Sequence, residues 1–133
     1  MSLYKTDQNT GQTLFRAWGL PAWPDYETDY YRWRDCGIFA LPERGSYVEI
    51  HMAMRPADRW RCREAVKDVL HMIGPRTVCA PVLVTSGHVC NLARKFGFRY
   101  EATVRMAFLD GTEGDVIMMF RRVNNGWDRQ CHQ

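Results

Sequence analysis

Two groups of side chains in this 133-residue sequence could do chemistry. Glu49 and His51 lie two residues apart in the run Tyr47-Val-Glu-Ile-His-Met-Ala-Met54. Alternate residues of an extended strand share a face, so Tyr47, Glu49, His51 and Ala53 point one way and Val48, Ile50, Met52 and Met54 the other. One face reads as core, and the other presents a carboxylate and an imidazole. The plainer alternative makes Glu49 a solvent-facing residue and His51 a hydrogen-bonded core histidine. The second group, Arg55, Arg59, Arg61, Arg63 and Lys67, follows directly. Such a cluster suits an anionic ligand, a nucleic acid, or simple solvation of a helix face that Asp58 and Glu64 interrupt.

Charge distribution gives the second group its weight. The formal net charge is +3. Residues 1–50 carry five basic and seven acidic side chains, whereas residues 51–133 carry thirteen and eight. The five cysteines (Cys36, Cys62, Cys79, Cys90, Cys131) form no CxxC pair and are odd in number, the pattern of a reducing compartment. His88 with Cys90, and Cys131 with His132, lack a second half at zinc-site spacing, so these cysteines read as structural and no metal is expected.

The elements that must position these residues fit one domain spanning residues 1–133. The composition is 46% hydrophobic and 25% charged, enough apolar surface for a single core. No run of about 18 apolar residues is present and the first ten residues are polar, so a cytoplasmic chain without a membrane segment is expected. Residues 1–35 are irregular and aromatic-rich. Leu14, Phe15 and Trp18 have helical spacing, and Gly19-Leu-Pro21 and Pro24 end any helix there. Phe15, Trp18, Trp23, Tyr26, Tyr30, Tyr31 and Trp33 read as a small core or a subunit contact, hence a homo-oligomer or protein partner. They do not read as a base-stacking platform, because the local charge has the wrong sign for a phosphate backbone.

A strand over 31–40, a turn at Leu41-Pro-Glu-Arg-Gly45 and a strand over 47–54 predict a hairpin. A helix follows over about 57–73, with Pro56 near its start, Gly74-Pro75 as its stop, and Cys62, Ala65, Val66, Val69, Leu70 and Ile73 as its apolar stripe. The β-branched run 77–84 is a buried strand whose ladder Pro81 must interrupt. Thr85 or Ser86 caps a second helix that Gly97 ends. Strands over 100–109 and 115–123 close the domain as a hairpin, and residues 124–133 carry no pattern. The order β, β, α, β, α, β, β is that of an α+β domain with a mixed sheet.

Residues 46–122 resemble the GNAT superfamily of acyl-CoA-dependent N-acetyltransferases. The element order matches. The segment Asn91-Leu-Ala-Arg-Lys-Phe-Gly-Phe-Arg-Tyr-Glu101 is similar to the family's helix ending in lysine, an apolar residue and Gly-Phe, and Arg105, Gly111 and Asp115 fall where many members keep an arginine, a hairpin glycine and an aspartate. The resemblance implies a largely antiparallel mixed sheet with helices on both faces, an abbreviated N-terminal part and a core over 46–123. It implies acetyl transfer from acetyl-CoA to a primary amine, with Glu49, and alternatively His51, as the base. Arg55, Arg59, Trp60, Arg61, Cys62, Arg63 and Ser86 would hold the cofactor. Its backbone amides would pair with a strand that diverges from its neighbour, and its pyrophosphate would meet the helix N-terminus.

The sequence departs from that pattern at named positions. The Q/RxxGxG/A phosphate loop aligns with Arg59-Trp-Arg-Cys-Arg-Glu64, which puts Cys62 and Glu64 in place of small residues. Ala93 stands where the family's tyrosine acid would be, and Ser86 replaces an asparagine. The short, glycine-poor form resembles members encoded by tailed bacteriophages, some of them virion components. That implies a second reading, a catalytically inactive interaction or assembly protein. Nucleic-acid binding is the third.

Overall fold

The computed structural model describes residues 2–19 and 27–123. The chain opens with β1 (Leu3–Thr6) and α1 (Gln8–Trp18), then runs through β2 (Tyr30–Trp33), β3 (Gly37–Ala40), β4 (Val48–Glu49) and β5 (His51–Met54). A 3-10 turn (Pro56–Arg61) leads into α2 (Cys62–Ile73), followed by β6 (Val78–Leu83). A second 3-10 turn (Val84–Ser86) precedes α3 (Gly87–Lys95), and β7 (Arg99–Ala107) and β8 (Glu113–Arg121) complete the described chain. The strands form two four-stranded sheets, ordered β1-β2-β3-β5 and β4-β6-β8-β7. Every pairing is antiparallel except β4 with β6. The expected α+β class with a mixed, largely antiparallel sheet is therefore present.

Three expectations about the strands need correction. The first strand, β1, has no alternation to betray it; it exists because all four of its residues find partners on β2. The single strand expected over 31–40 is two strands joined by a tight turn, where Arg34 adopts a left-handed φ of 50°. The strand over 47–54 breaks at Ile50, so that its two halves join different sheets.

That break sets the architecture. The Glu49 N–H points to the Pro42 carbonyl, while the N–H groups of Val48 and Ile50 point the other way, to Thr77 and Cys79 of the β6 side. Beyond Ile50 the β6 side is lost and, among the described residues, β5 becomes an edge strand, with Met52 and Met54 turning their backbone groups to a margin that no described strand pairs. The Cys79 carbonyl faces β4, so by two-residue alternation Pro81 faces the same way, and there it has no N–H to offer. The interruption expected at Pro81 lies on this side alone, because the β6–β8 ladder runs unbroken from Val78 to Leu83.

Helices cover both faces of the first sheet. Asp7 caps α1 by accepting from the Thr10 N–H at 3.0 Å. Phe15 of α1 meets Tyr30 edge-on at 6.0 Å, and with Ile38, Ala40 and Ala53 they form a small core. The larger core lies on the opposite face, where Trp33, Phe39, Val48, Ile50 and Met54 pack against Ala65, Val66, Val69 and Leu70 of α2 and Cys90 and Ala93 of α3. The expected apolar stripe of α2 is thus its buried face, and Gly74, at φ 78°, ends the helix. Gly97, at φ 92°, follows α3 as expected. Ser86 precedes α3 without a side-chain capping bond, and Thr85 lies within the 3-10 turn, so neither caps the helix as expected. The aromatic residues Phe15, Tyr30 and Trp33 are core, while Trp23, Tyr26 and the tail 124–133 with Cys131 and His132 lie outside the described residues.

At the α1 crossing, a Cβ on Gly11 would lie 2.2 Å from the Tyr30 ring. Gly11→Ala should lower stability by about 1–3 kcal/mol despite alanine's better helix propensity. Gly87→Ala, where a Cβ meets nothing within 4 Å, should be neutral or stabilising. Urea midpoints of the two variants check the contrast.

Candidate active site

Glu49 and His51 sit where the two sheets part, and both are buried, at 8% and 4% exposure. The face on which they lie is therefore not open to solvent. His51 Nε2 is 3.0 Å from Glu49 Oε2. On the other side of the carboxylate, Arg44 donates from Nε to Oε1 at 3.0 Å and from Nη2 to Oε2 at 3.4 Å. A buried carboxylate is thus held between a guanidinium and an imidazole.

The charge states follow from this geometry. Burial pushes the Glu49 carboxyl up, but the hydrogen bonds from His51 and Arg44 outweigh it, and the group ends below its ordinary value of 4.5. Burial pulls His51 below 6.5, against the opposing effect of the Glu49 carboxylate. At neutral pH Glu49 is ionised and His51 neutral. An ionised carboxylate only accepts, so Nε2 carries the ring proton and the imidazole lone pair lies at Nδ1. Cys79, opposite Glu49 in the β4–β6 register, has its thiol pushed up to about 12 by burial and then by the Glu49 and Glu101 carboxylates. It is a packing thiol rather than a nucleophile.

Sequence reasoning missed Arg44, which lies in the turn before β4. The loop closes on itself, with the Arg44 N–H donating to the Tyr47 carbonyl and Glu43 bridging to Val48. Gly45, at φ 82°, permits the reversal. The Pro-Glu-Arg-Gly sequence signalled the turn and nothing more, because only the fold aims the guanidinium back at Glu49.

The arginine group lies at the β5–α2 junction, as expected, but most of its members are engaged. Arg55 donates to Asp58 at 2.6 Å. Arg59 donates to the Trp18 carbonyl at 3.0 Å. Arg61 lies over the Trp33 ring at 4.8 Å and 3.5 Å from Glu64. Arg63 is exposed on the first turn of α2, and Trp60 is 78% exposed beside it. Cys62 begins α2 and packs against the core. Ser86 is half-buried ahead of α3. Glu49 and His51 are brought together with the open edge of β5, the arginines gather at the end of the same strand, and Ser86 belongs to the next crossover.

No protein-family model and no curated protein matches this chain. Solved structures do. YncA of Salmonella typhimurium, described as an acetyltransferase and solved with acetyl-CoA, superposes with a TM-score of 0.67 at 13% identity, over 94% of this chain and 95% of that one. A variant of the spermidine N-acetyltransferase SpeG from Vibrio cholerae gives 0.69 at 15% identity, over 98% and 99%. A Bacillus subtilis acetyltransferase in complex with CoA gives 0.61 at 17% identity, over 92% and 98%. This chain has the GNAT acetyltransferase fold.

Within the GNAT fold, the parting of β5 from β6 leaves an edge of β5 that no described strand pairs, and Glu49 and His51 lie beside it. Ala93, where a tyrosine acid was sought, is buried and offers no proton.

Two pH effects follow. Folded His51 refuses a proton that the unfolded chain accepts at its ordinary 6.5, so stability should fall as pH drops below about 6.5. Glu49, with its folded value depressed below 4.5, contributes stability that is present above that value and lost at still lower pH. His51→Gln should flatten the slope of unfolding free energy between roughly pH 7.5 and 5.5, as measured by urea titrations at several pH values. Arg44→Met should cost about 1–2 kcal/mol at pH 7, discounted because the arginine side chain is 40% exposed.

Proposed function

We propose that this protein is an N-acetyltransferase that moves an acetyl group from acetyl-CoA to a primary amine. The observation that carries the reading is the edge of β5 that no described strand pairs, which begins directly beside the buried Glu49–His51 pair. An extended amide chain can add to such an edge as a further strand, with the Met52 and Met54 backbone groups as its partners. The residues fit an acyl-CoA in two places, along that edge and at the arginines preceding α2. Bound there, it would supply an acyl thioester.

The roles of the chain's own residues follow from their charge states. An amine attacks a thioester carbonyl only when unprotonated, forming the C–N bond as the C–S bond breaks, and its surplus proton needs an acceptor. Glu49 is poorly suited to take it directly, because Arg44 and His51 stabilise its ionised form. The acceptor in this reading is the imidazole of the coupled pair, whose protonation the adjacent Glu49 carboxylate favours against the cost of burial, the relation of orienting carboxylate to working imidazole.

The second reading, an inactive interaction or assembly protein, is favoured by the arginines already engaged in ion pairs and stacking and by the absence of a tyrosine at Ala93. The two separate readily. For an enzyme, acetyl-CoA should raise the melting temperature and a panel of primary amines should release free CoA thiol. His51→Gln and Glu49→Gln should each lower kcat by roughly 10²-fold or more. A folded, self-associating protein with neither thermal shift nor thiol release would support the second reading.

A further inference from the structure

The turn between β2 and β3 brings a residue to the cofactor end of the site that its sequence position did not suggest. Arg34, held at a left-handed φ of 50°, places its guanidinium over the Trp33 ring at 4.7 Å. From there its Nη2 reaches Glu64 Oε1 at 2.7 Å. Arg61 lies over the same indole at 4.8 Å and contacts the other carboxylate oxygen, with its Nε 3.5 Å from Glu64 Oε2. Trp33 is fully buried and donates from its indole nitrogen to Asp68 at 2.8 Å, so the platform beneath the two guanidiniums is fixed. A non-glycine residue in the left-handed region costs free energy, and such positions recur where a side chain must be aimed.

Two arginines aimed at one carboxylate, in the first turn of the helix that follows the open strand, form a dicationic clamp closed on an internal anion. Glu64 is also the position at which the aligned phosphate-loop pattern calls for a small residue. We propose that Arg34 is a further phosphate-binding residue beside Arg61, and that Glu64 holds both guanidiniums until the pyrophosphate of an acyl-CoA displaces its carboxylate. This rests on the acetyltransferase reading. Exchange conserves the number of charge-assisted bonds at the guanidiniums and releases a carboxylate that is nearly half exposed, at 45%, so its return to water costs little. The affinity of the resting protein for phosphate-bearing ligands is accordingly held below what its arginines could give.

The test is calorimetric titration of the wild type, Glu64→Gln and Arg34→Gln with CoA, inorganic pyrophosphate and S-acetyl-pantetheine, which lacks the nucleotide. Glu64 is on the surface and glutamine is nearly isosteric, so folding is preserved, and circular dichroism verifies it for both variants. Glu64→Gln should tighten CoA and pyrophosphate by about tenfold, the scale of one charge-assisted hydrogen bond. Arg34→Gln should weaken both by a similar factor, and neither change should alter S-acetyl-pantetheine binding. In the double variant the gain from Glu64→Gln should shrink, since the partner being freed is absent. Wild-type CoA binding that Glu64→Gln leaves unchanged overturns the exchange and leaves the acetyltransferase reading standing. Tightened pyrophosphate binding without any CoA binding supports the clamp and counts against that reading. Failure of every ligand to bind the wild type or any variant overturns both.

Discussion

One strand belonging to two sheets is the constraint on which this structure depends. From Val48 to Met54 the backbone runs on with odd-numbered residues bonded towards the β3 side. Its even-numbered residues bond to the β6 side only as far as Ile50. A proline on the partner strand makes that limit physical, because the next N–H needed to continue the parallel ladder does not exist. The first bond of the next step, from residue 81 to the Ile50 carbonyl, is therefore unavailable, which lowers the cost of parting the sheet there. From that parting come a β5 margin that no described strand pairs and a polar pair placed at the division.

The polar pair is tolerated because it is complete. A buried carboxylate without partners would shift its ionisation or destabilise the fold by several kcal/mol. Glu49 has a guanidinium on one side and an imidazole on the other, and the resulting chain of bonds runs from the loop before β4 to the first residue of β5. This arrangement specifies more than it stabilises. It fixes the register of the loop, the charge of the carboxylate and the tautomer of the histidine together, so altering any member changes the others.

Much of the fold was legible in the sequence. The stripe of α2, the glycine after α3 and the final hairpin are stated by local pattern, since each is decided by periodicity or by a residue with restricted backbone, whereas the run bearing Glu49 and His51 was legible as extended but not as divided between two sheets. Pro81 announced a broken ladder. The sequence did not say which side would break, because that depends on the direction of the neighbouring carbonyl, a property of the assembled sheet. Strand β1 was missed because four residues of Leu-Tyr-Lys-Thr carry no alternation, and only pairing with β2 makes them a strand. Arg44 and Arg34 were missed for a related reason. Both lie in turns, where sequence specifies that the chain reverses but not where a long side chain will end.

The second sheet ends in β7, nine residues exposed along almost their whole length. A long exposed edge of this kind invites a neighbouring strand to add to it. Here the ladder with β8 slips between Tyr100 and Ala102, so the flanking stretches lie out of phase with each other. A second chain pairing in register on one side of Glu101 would be out of register on the other. Charges at Arg99, Glu101 and Arg105 further penalise indiscriminate stacking. The irregularity at Glu101 therefore makes this long edge a poor template for a register-matched strand, a constraint written into backbone geometry rather than composition.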